Sequence, residues 1–460
     1  MISRMKNVFK ISRLLQFRSL WLALLVIEAA VVFWFSRPWL NGDSNVYLDL
    51  AQSLSRGAYG ALTPTGFEAD ALRPPGYPII LWFLMYVLRL PVAGVAALQL
   101  AVCILSLGAI DLLLGGHARV RDWFRGLSLI YPFPLFYSSY MMTEPWVMVC
   151  LTVAACLIVA SKGQWAALII AGVLAGYSAL LRPDMILLPF AVALAFFVKL
   201  RAENGSVWRS FWLSLVPLGV SVAVLTPYAV WNGLNFGRYS PLPMAGAVGS
   251  SIYSATWQEK LSVDDIVSIY KGSPTPAAIQ SGFYADARAV NRSIGAPEEL
   301  SPVNPAWYPS RELQIQANLA FGKRGVERIR DDPGAYAMHV FHNIWRLWNT
   351  SEYPAAIPQP LQLLLKVISY TVFAFGLLGS VGAIFNLNGL GRWRPAALVM
   401  LYPYSVHLWL HTEARYTASV RPLLVLFAAL LIASLWRRAE GRRVVAGSPA
   451  TASGAALAAE

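Results

Sequence analysis

Charged residues are scarce in this sequence. Asp, Glu, Lys and Arg make up 13% of its 460 residues, whereas a soluble globular chain has about 25%. A chain with so few charges cannot cover its own surface in water, but lipid can surround an apolar bundle of helices. The composition therefore excludes an ordinary soluble protein and predicts an integral membrane protein.

Positive charge is in excess, with a formal net charge of +13, but its distribution argues against nucleic acid as a partner. The Lys and Arg residues cluster at the ends of apolar runs, as they do in membrane proteins where they determine topology. A nucleic-acid-binding protein would instead gather them on one basic face. We therefore expect membrane lipids as partners and no nucleic acid.

Several other signatures are also absent. The three cysteines, Cys103, Cys150 and Cys156, lie inside apolar runs, which favours small buried side chains over disulfides or metal ligands. The sequence has no P-loop, no Gly-x-Ser-x-Gly and no Gly-x-Gly-x-x-Gly after a strand. ATP-driven transport and serine hydrolysis therefore have no support.

Eleven long apolar runs are present. They cover residues 19–36, 76–90, 92–115, 126–142, 145–161, 164–181, 184–200, 211–231, 361–385, 395–411 and 420–436. Most have the roughly 17–25 residues that a helix needs to cross a bilayer. The sequence thus predicts an all-α polytopic membrane protein with about 10–12 transmembrane helices.

The cations that flank these runs predict their orientation. Lys and Arg concentrate on the cytoplasmic side of membrane proteins. The basic segments are residues 1–18, 117–125, 199–209, 387–394 and 437–460. Both termini are then cytoplasmic, so the number of crossings must be even, and the short run 76–90 is the one we expect not to cross. The Ala/Ser/Gly-rich tail, 437–460, is expected to be disordered.

Two long loops, 37–75 and 232–360, are then exposed on the outer face. The first contains Asp43, directly after a membrane exit. Asp43 or Ser44 could be the N-cap of an amphipathic helix that follows, or Asp43 could be a general base at the membrane boundary. Arg73, before two prolines, could be an interfacial anchor or a cation directed at an anionic substrate. The second loop is long enough for a small domain packed on the bundle.

Ionisable groups from distant segments reach the same outer face. They are Glu144, Arg182, Asp184, His407, His411, Glu413 and Arg415. Such groups are costly near a bilayer and tend to be paired or functional, and Arg182 could simply pair with Asp184 or Glu144. Acids and cations on one face are also what is needed to deprotonate a nucleophile and hold an anionic leaving group.

A zinc site is a weaker interpretation of the same residues. His407 and His411 are four residues apart on one predicted helix face, with Glu413 close behind, and His339 and His342 lie elsewhere. Zinc needs three or four converging ligands. No Asp-x-Asp pair stands in the first outer loop, so a carboxylate-bound divalent cation has no support there. We therefore expect no metal ion and no cofactor.

Together these motifs resemble the GT-C superfamily of polytopic glycosyltransferases. The resemblance is to the bacterial branch related to the lipid A aminoarabinose transferase and protein O-mannosyltransferases, and it spans about residues 19–436. The matching stretches are the first-loop Asp43 with Tyr47, Arg73-Pro74-Pro75-Gly76-Tyr77-Pro78, Leu181-Arg182-Pro183-Asp184, Thr226-Pro227-Tyr228, Asp332-Pro333-Gly334-Ala335-Tyr336 and Glu413-Ala414-Arg415-Tyr416.

The resemblance implies a GT-C-like bundle over 19–436, with loop 37–75 catalytic and loop 232–360 on the acceptor side. It implies transfer of a sugar from a polyprenyl phosphate to a lipid or glycan acceptor, with inversion, at the periplasmic face of a bacterial inner membrane. Asp43 would be the base. The donor phosphate would be bound by Arg73, Arg182 and Arg415, and the sugar or acceptor placed by Tyr47, Glu144, Glu413 and His411.

One departure from the family pattern narrows this expectation. Many relatives have Asp-Glu in the first loop, whereas here Ser44 follows Asp43, which favours a lipid or polysaccharide acceptor over a protein. Two alternatives stay open, a carrier or flippase for a lipid-linked saccharide and a ligase of polymer chains. Transporters usually show paired repeats with broken helices, and this sequence has no such pairing.

Overall fold

The protein is largely helical. The computed structural model describes residues 17–40, 43–63, 66–246, 248–270, 272–297, 308–348 and 357–446. In these residues the only sheet is one antiparallel hairpin, β1 (Gly60–Thr63) with β2 (Gly66–Ala69). The helices are α1 (Arg18–Phe35), α2 (Ser44–Ser55), α3 (Gly76–Trp82), α4 (Val92–Leu113), α5 (Ala118–Ile130), α6 (Phe133–Ser138), α7 (Glu144–Ala160), α8 (Trp165–Leu181), α9 (Leu188–Asn204), α10 (Val207–Phe236), α11 (Val248–Ala255), α12 (Val263–Tyr270), α13 (Pro276–Gln280), α14 (Phe283–Ser293), α15 (Arg311–Asp331), α16 (Pro333–Arg346), α17 (Gln359–Ile384), α18 (Arg394–Leu408) and α19 (Arg421–Ala446).

Within the described residues, six helical segments are long and apolar enough to cross a membrane, judged by length and composition. They are Arg18–Phe35, Val92–Leu113, Pro183–Glu203, Val207–Phe236, Gln359–Ile384 and Arg415–Glu440. Three shorter apolar helices accompany them, Gly76–Val87, Glu144–Ala160 and Trp165–Leu181. The predicted all-α polytopic membrane fold is confirmed. That 76–90 does not cross stays a prediction; this segment is α3 followed by a π-helical turn, Phe83–Val87.

One predicted span is wrong. The apolar run 126–142 is divided, because α5 ends at Ile130 and the short α6 begins at Phe133. Between them Tyr131 has φ −120° and ψ 79°. A residue before a proline is pushed out of the helical region by the proline ring, and Pro132 has this effect on Tyr131. Hydrophobicity alone does not register such a break.

The expected cytoplasmic ends differ in two places from the prediction. The basic stretch 117–125 belongs mostly to α5 rather than to a loop, and Arg125 is buried against Asp111, with Nε 2.6 Å from Oδ1. The helix α19 continues to Ala446, so the first part of the predicted disordered tail 437–460 is helical. Residues 1–16 and 447–460 lie outside the described residues.

Close backbone contacts hold neighbouring spans together. A Cβ on Gly172 would come within 2.6 Å of the Pro217 carbonyl oxygen, and one on Gly176 within 2.9 Å of the Ser221 backbone. The Ser221 hydroxyl donates to the Gly172 carbonyl at 2.7 Å. Small residues permit this approach between membrane helices, and α8 and α10 are therefore packed backbone to backbone.

The second outer loop forms a helical unit of its own, as far as it is described. Helices α11 to α15 enclose a separate apolar core in which Tyr253, Trp257, Phe283 and Phe321 are buried, and α16 follows them. Residues 298–307 and 349–356 of the predicted loop 232–360 lie outside the described residues. This outer unit contacts the membrane bundle through α16 and α18, next to the cavity described below.

Candidate active site

Asp43 lies between two arginines from distant parts of the chain. Its Oδ1 is 2.8 Å from a guanidinium nitrogen of Arg73, and its Oδ2 is 3.3 Å from Nη1 of Arg415. The Arg73 guanidinium, with help from Arg415, holds the pKa of the Asp43 carboxyl below its usual value although partial burial opposes this. Asp43 precedes α2, but its side chain caps no backbone N–H. Asp43 therefore does not cap α2 with its side chain.

The position of Arg73 is determined by the turn that precedes it. The Asp70 carboxylate accepts hydrogen bonds from the backbone N–H groups of Leu72 and Arg73, at 3.1 and 2.7 Å. The Tyr59 hydroxyl donates to the Arg73 carbonyl at 2.8 Å. These local side-chain hydrogen bonds fix a segment that has no regular helix or strand hydrogen bonds. The hairpin and this turn thus hold the Arg73 backbone rigidly beside the cavity.

Arg415 is held from behind by an acidic partner. Its Nε is 2.7 Å from Oε2 of Glu413, and Oε1 of Glu413 lies 3.3 Å from Nε2 of His411 and accepts from the Tyr416 hydroxyl, also at 3.3 Å. Burial alone would raise the pKa of Glu413, but Arg415 and then His411 lower that pKa to about 2. Glu413 therefore acts on the cavity through Arg415, whereas His411 lines the cavity itself.

The loop that contains these groups is attached to the outer unit. The His411 backbone N–H donates to the Ser251 carbonyl at 3.2 Å. The Thr412 hydroxyl donates to the Asn343 side-chain oxygen at 3.1 Å, and the Asn343 amide donates to the Leu408 carbonyl at 2.9 Å. Buried amide networks of this kind are rigid when fully satisfied. The outer unit thus sets the position of the loop.

A second ionic cluster lies on the other side of the cavity. Arg182 contacts Glu144 at 2.8 Å through Nη1 and Asp184 at 3.0 Å through Nε, so both pairings considered from the sequence are present. Asp184 Oδ2 is also 2.7 Å from Nε2 of His407. The His407 ring stacks on Tyr416 with centroids 4.7 Å apart. Buried charges are costly unless paired and hydrogen-bonded, and each charge here has such a partner.

Tyr47 completes the wall nearest the first loop. Its ring is buried, contacts the Tyr77 ring edge-on at a centroid distance of 5.1 Å, and lies 5.7 Å from the Arg73 guanidinium. Burial raises the pKa of the Tyr47 hydroxyl to about 12. The hydroxyl is therefore protonated at physiological pH, when it can donate a hydrogen bond as well as accept one.

These side chains surround one cavity of about 170 Å³. Three guanidinium groups and three carboxylates line it, with His407, His411, Tyr47 and Tyr416 between them; the charged residues are Arg73, Arg182, Arg415, Asp43, Glu144 and Asp184. The sequence placed all of these on one face but did not assign site roles to Asp184 and His407. The adjacency of Asp184 to Arg182 was the available signal, whereas the Asp184–His407 contact, 223 residues apart, had none.

The zinc interpretation does not match this geometry. His407 contacts Asp184, whereas His411 contacts Glu413, and His342 pairs with Glu259 at 2.9 Å. In the part of the chain that the structure describes, no group of three or more His, Cys, Asp or Glu side chains is arranged to hold a metal ion.

Comparison with known proteins gives structural likeness only. No protein-family model matches the chain, and no curated protein does. The archaeal oligosaccharyltransferase AglB from Archaeoglobus fulgidus, in complex with an inhibitory peptide and a dolichol-phosphate, is 15% identical with a TM-score of 0.48, over 92% of this chain and 51% of that one. ArnT from Cupriavidus metallidurans, bound to undecaprenyl phosphate, is 14% identical with a TM-score of 0.38, over 94% and 80%. The chain spans about half the length of AglB.

Proposed function

We propose that this protein is a membrane glycosyltransferase that moves a sugar from a polyprenyl-phosphate donor to a lipid or polysaccharide acceptor, with inversion. One observation supports this most directly. Arg73 and Arg415 converge on the single carboxylate Asp43 at the rim of one small cavity. Guanidinium groups bind phosphate oxygens through strong charge-assisted bonds, and a carboxylate between them can accept a proton from a hydroxyl.

The cavity lies at the ends of helices whose other ends are basic. Arg182 follows α8 and Asp184 precedes α9, whereas Lys199 and Arg201 lie near the end of α9. A helix of this length spans about 1.5 Å per residue, so the two sets lie on opposite sides of the apolar bundle. Because Lys and Arg favour the cytoplasmic side, the cavity faces the periplasm of a bacterial inner membrane.

The chemical step follows from these contacts. Asp43 accepts the proton of the acceptor hydroxyl, and the hydroxyl oxygen forms a bond to the anomeric carbon of the sugar. The bond from that carbon to the phosphate oxygen breaks, and its electron pair goes to the phosphate, which Arg73, Arg182 and Arg415 stabilise. Attack opposite to the leaving phosphate inverts the anomeric carbon.

The two arginines also regulate the base. While both pair with Asp43, its lowered pKa makes it a weak proton acceptor. A donor phosphate competes for the same guanidinium groups, which reduces their stabilisation of the Asp43 carboxylate and raises its basicity. Asp43 is then activated only when the donor is bound, so the acceptor is not deprotonated without it.

The test is transfer by purified protein, by Asp43→Asn and by the control Asp49→Asn on the exposed side of α2. Radiolabelled polyprenyl-phosphate sugars are the donors, and a membrane lipid extract supplies acceptors. We expect wild type and Asp49→Asn to release polyprenyl phosphate with a labelled product, and Asp43→Asn to lose 10²- to 10⁴-fold in rate, roughly what a general base contributes. If all three bind the lipid equally and transfer nothing, a carrier or a ligase is the better account.

A further inference from the structure

Three basic side chains from distant segments of the chain meet at one end of the bundle. His117 follows α4, Arg392 precedes α18, and Arg437 lies in the second half of α19. Nη1 of Arg392 is 2.7 Å from Nε2 of His117. Burial lowers the pKa of the His117 imidazole, and the charges of Arg392 and Arg437 lower it further. Both guanidinium groups thus act on one imidazole ring.

Two helices separate this basic cluster from the cavity. Helix α18 begins two residues after Arg392 and ends one residue after His407, which lines the cavity. Its 15 residues rise about 1.5 Å each, so the cluster is roughly 20 Å from the cavity. Helix α19 runs between the same two ends, because Arg415 lines the cavity shortly before its start and Arg437 belongs to the cluster. The cluster is therefore distinct from the proposed active site.

The cations of the cluster are not paired with acids. In the part of the chain that the structure describes, neither Arg392 nor Arg437 forms an ion pair with a carboxylate. Glu440, one turn beyond Arg437, pairs instead with Arg119 at 2.7 Å. Like charges held together repel each other, whereas an anion between them is stabilised. The cluster is therefore suited to bind an anion.

The buried Trp393 fixes the shape of the cluster. The Arg392 guanidinium lies over the Trp393 ring, 5.1 Å from its centroid. The His117 ring meets the same indole edge-on, with centroids 6.1 Å apart. Trp393 is buried, whereas Arg392 and Arg437 are exposed. The two guanidinium groups can thus be reached from outside the protein while one of them is held in place.

Apolar side chains near the cluster favour a lipid over a free ion. Phe385 and Leu387, in the loop before Arg392, are 69% and 53% exposed, and Leu112, five residues before His117, is 63% exposed. In a membrane protein, such side chains at helix ends are covered by acyl chains. Guanidinium groups bind phosphate oxygens through strong charge-assisted bonds. A molecule that offers both a phosphate and acyl chains is a phospholipid.

We propose that Arg392 and Arg437 bind the headgroup phosphate of an anionic phospholipid in the leaflet opposite to the cavity, and that His117 orients Arg392. Basic pockets between membrane helices recognise such headgroups. Phosphatidylglycerol has a net negative charge and phosphatidylcholine has none, so the cluster distinguishes the two by charge. The bound lipid joins the loops after α4 and before α18 to α19.

The experiment counts the lipids bound to the full-length protein in a nonionic detergent, by native mass spectrometry. The protein is titrated with dioleoyl phosphatidylglycerol or dioleoyl phosphatidylcholine, and inorganic phosphate is added as a competitor. We compare wild type with Arg392→Gln, Arg437→Gln, the double variant and Arg392→Lys. Arg209→Gln is the matched control, because it removes an exposed cation near the start of α10, at the same end of the bundle but outside the cluster.

Wild type should bind phosphatidylglycerol more tightly than phosphatidylcholine. Each single Gln variant should bind phosphatidylglycerol about fivefold more weakly, the factor expected for one cation near a membrane surface, and the double variant more weakly still. Arg209→Gln should bind it as wild type does. Arg392→Lys keeps the charge and should keep most of the affinity, which separates loss of charge from loss of folding.

Several results would overturn the proposal. Unchanged affinity of the double variant for phosphatidylglycerol would show that the cluster does not bind the lipid. An equal loss in Arg209→Gln would show only the diffuse attraction of a basic surface. Displacement of the lipid by inorganic phosphate at equal concentration would show that free phosphate is the ligand. Equal binding of the two lipids by wild type would show that the site does not select an anionic headgroup.

Discussion

Replacing Asp43 by Asn should tighten the binding of polyprenyl phosphate while it slows transfer. The Asp43 carboxylate contacts both Arg73 and Arg415, so it competes with any incoming phosphate for the same donors. The amide of Asn is nearly the same size but uncharged, and it cannot form an ion pair with either arginine. The phosphate then meets Arg73 and Arg415 without the Asp43 carboxylate as a competitor, although Glu413 still pairs with Arg415.

The magnitude can be bounded from the contacts. A hydrogen bond to a charged group contributes about 1.5–3 kcal/mol net, whereas a solvent-exposed ion pair contributes about 0.2–1 kcal/mol. The Asp43 side chain is 33% exposed, between these cases, and a phosphate would recover only part of each interaction. We expect a gain of about 1–2 kcal/mol, which corresponds to roughly 5- to 30-fold tighter binding.

The assay is equilibrium binding of polyprenyl phosphate to the purified protein in nanodiscs at low and moderate salt. Asp49→Asn is the matched control, since it removes the same charge from the exposed side of α2. Screening by salt should reduce the gain. If Asp43→Asn binds the phosphate more weakly than wild type, Asp43 does not compete with the ligand, and the assignment of Arg73 and Arg415 to the phosphate fails.

Three further predictions concern pH, packing and the outer unit. The pKa of Glu413 is about 2 in the folded protein, against an ordinary 4.5, so its stabilising contribution is complete above pH 4.5 and lost as pH falls towards 2. Glu413→Gln should therefore destabilise the protein at pH 7 by a free energy of order 3 kcal/mol, and at pH 3 by less than half of that, read as the drop in melting temperature; an equal drop at both would contradict this. Gly176→Leu should destabilise the protein by at least 1–3 kcal/mol, the usual cost of overpacking, because its Cβ would meet the Ser221 backbone; Gly219→Leu, which has open space, is the control for thermal unfolding. Asn343→Leu removes the bonds to Leu408 and Thr412 and should lower kcat roughly tenfold with little change in binding of polyprenyl phosphate to Arg73; unchanged kcat would show that the loop needs no such anchor.

The sequence predicted which charged residues share one face of the protein, but not the ion pairs and hydrogen bonds between them. Charged side chains in an apolar chain stand out individually, and the topology rule assigns them to a face, so Asp43, Arg73 and Arg415 were placed together. The rule gives a face but no distances. It could not show that both arginines contact Asp43, or that Glu413 lies behind Arg415.

The fold followed the same pattern. Long apolar runs predict membrane helices because the bilayer requires a minimum length, and nearly every run corresponds to a helix. The prediction of one span over 126–142 was wrong because hydropathy does not register the backbone restriction that Pro132 imposes. Arg125 shows a second limit of the sequence. The topology rule counts a cation at a helix end whether it is exposed or, as here, buried against Asp111.

The most enclosed of the six long spans is also the one translated after the other five. In the apolar window of Arg415–Glu440, 83% of the residues are buried inside the protein, against 17% in α1. The other spans therefore pack around this segment, which fills the centre of the bundle. Arg415 stands at the start of this segment, so the cavity acquires its third arginine only when the segment is in place. A bundle without this segment thus lacks one of the two arginines that contact Asp43.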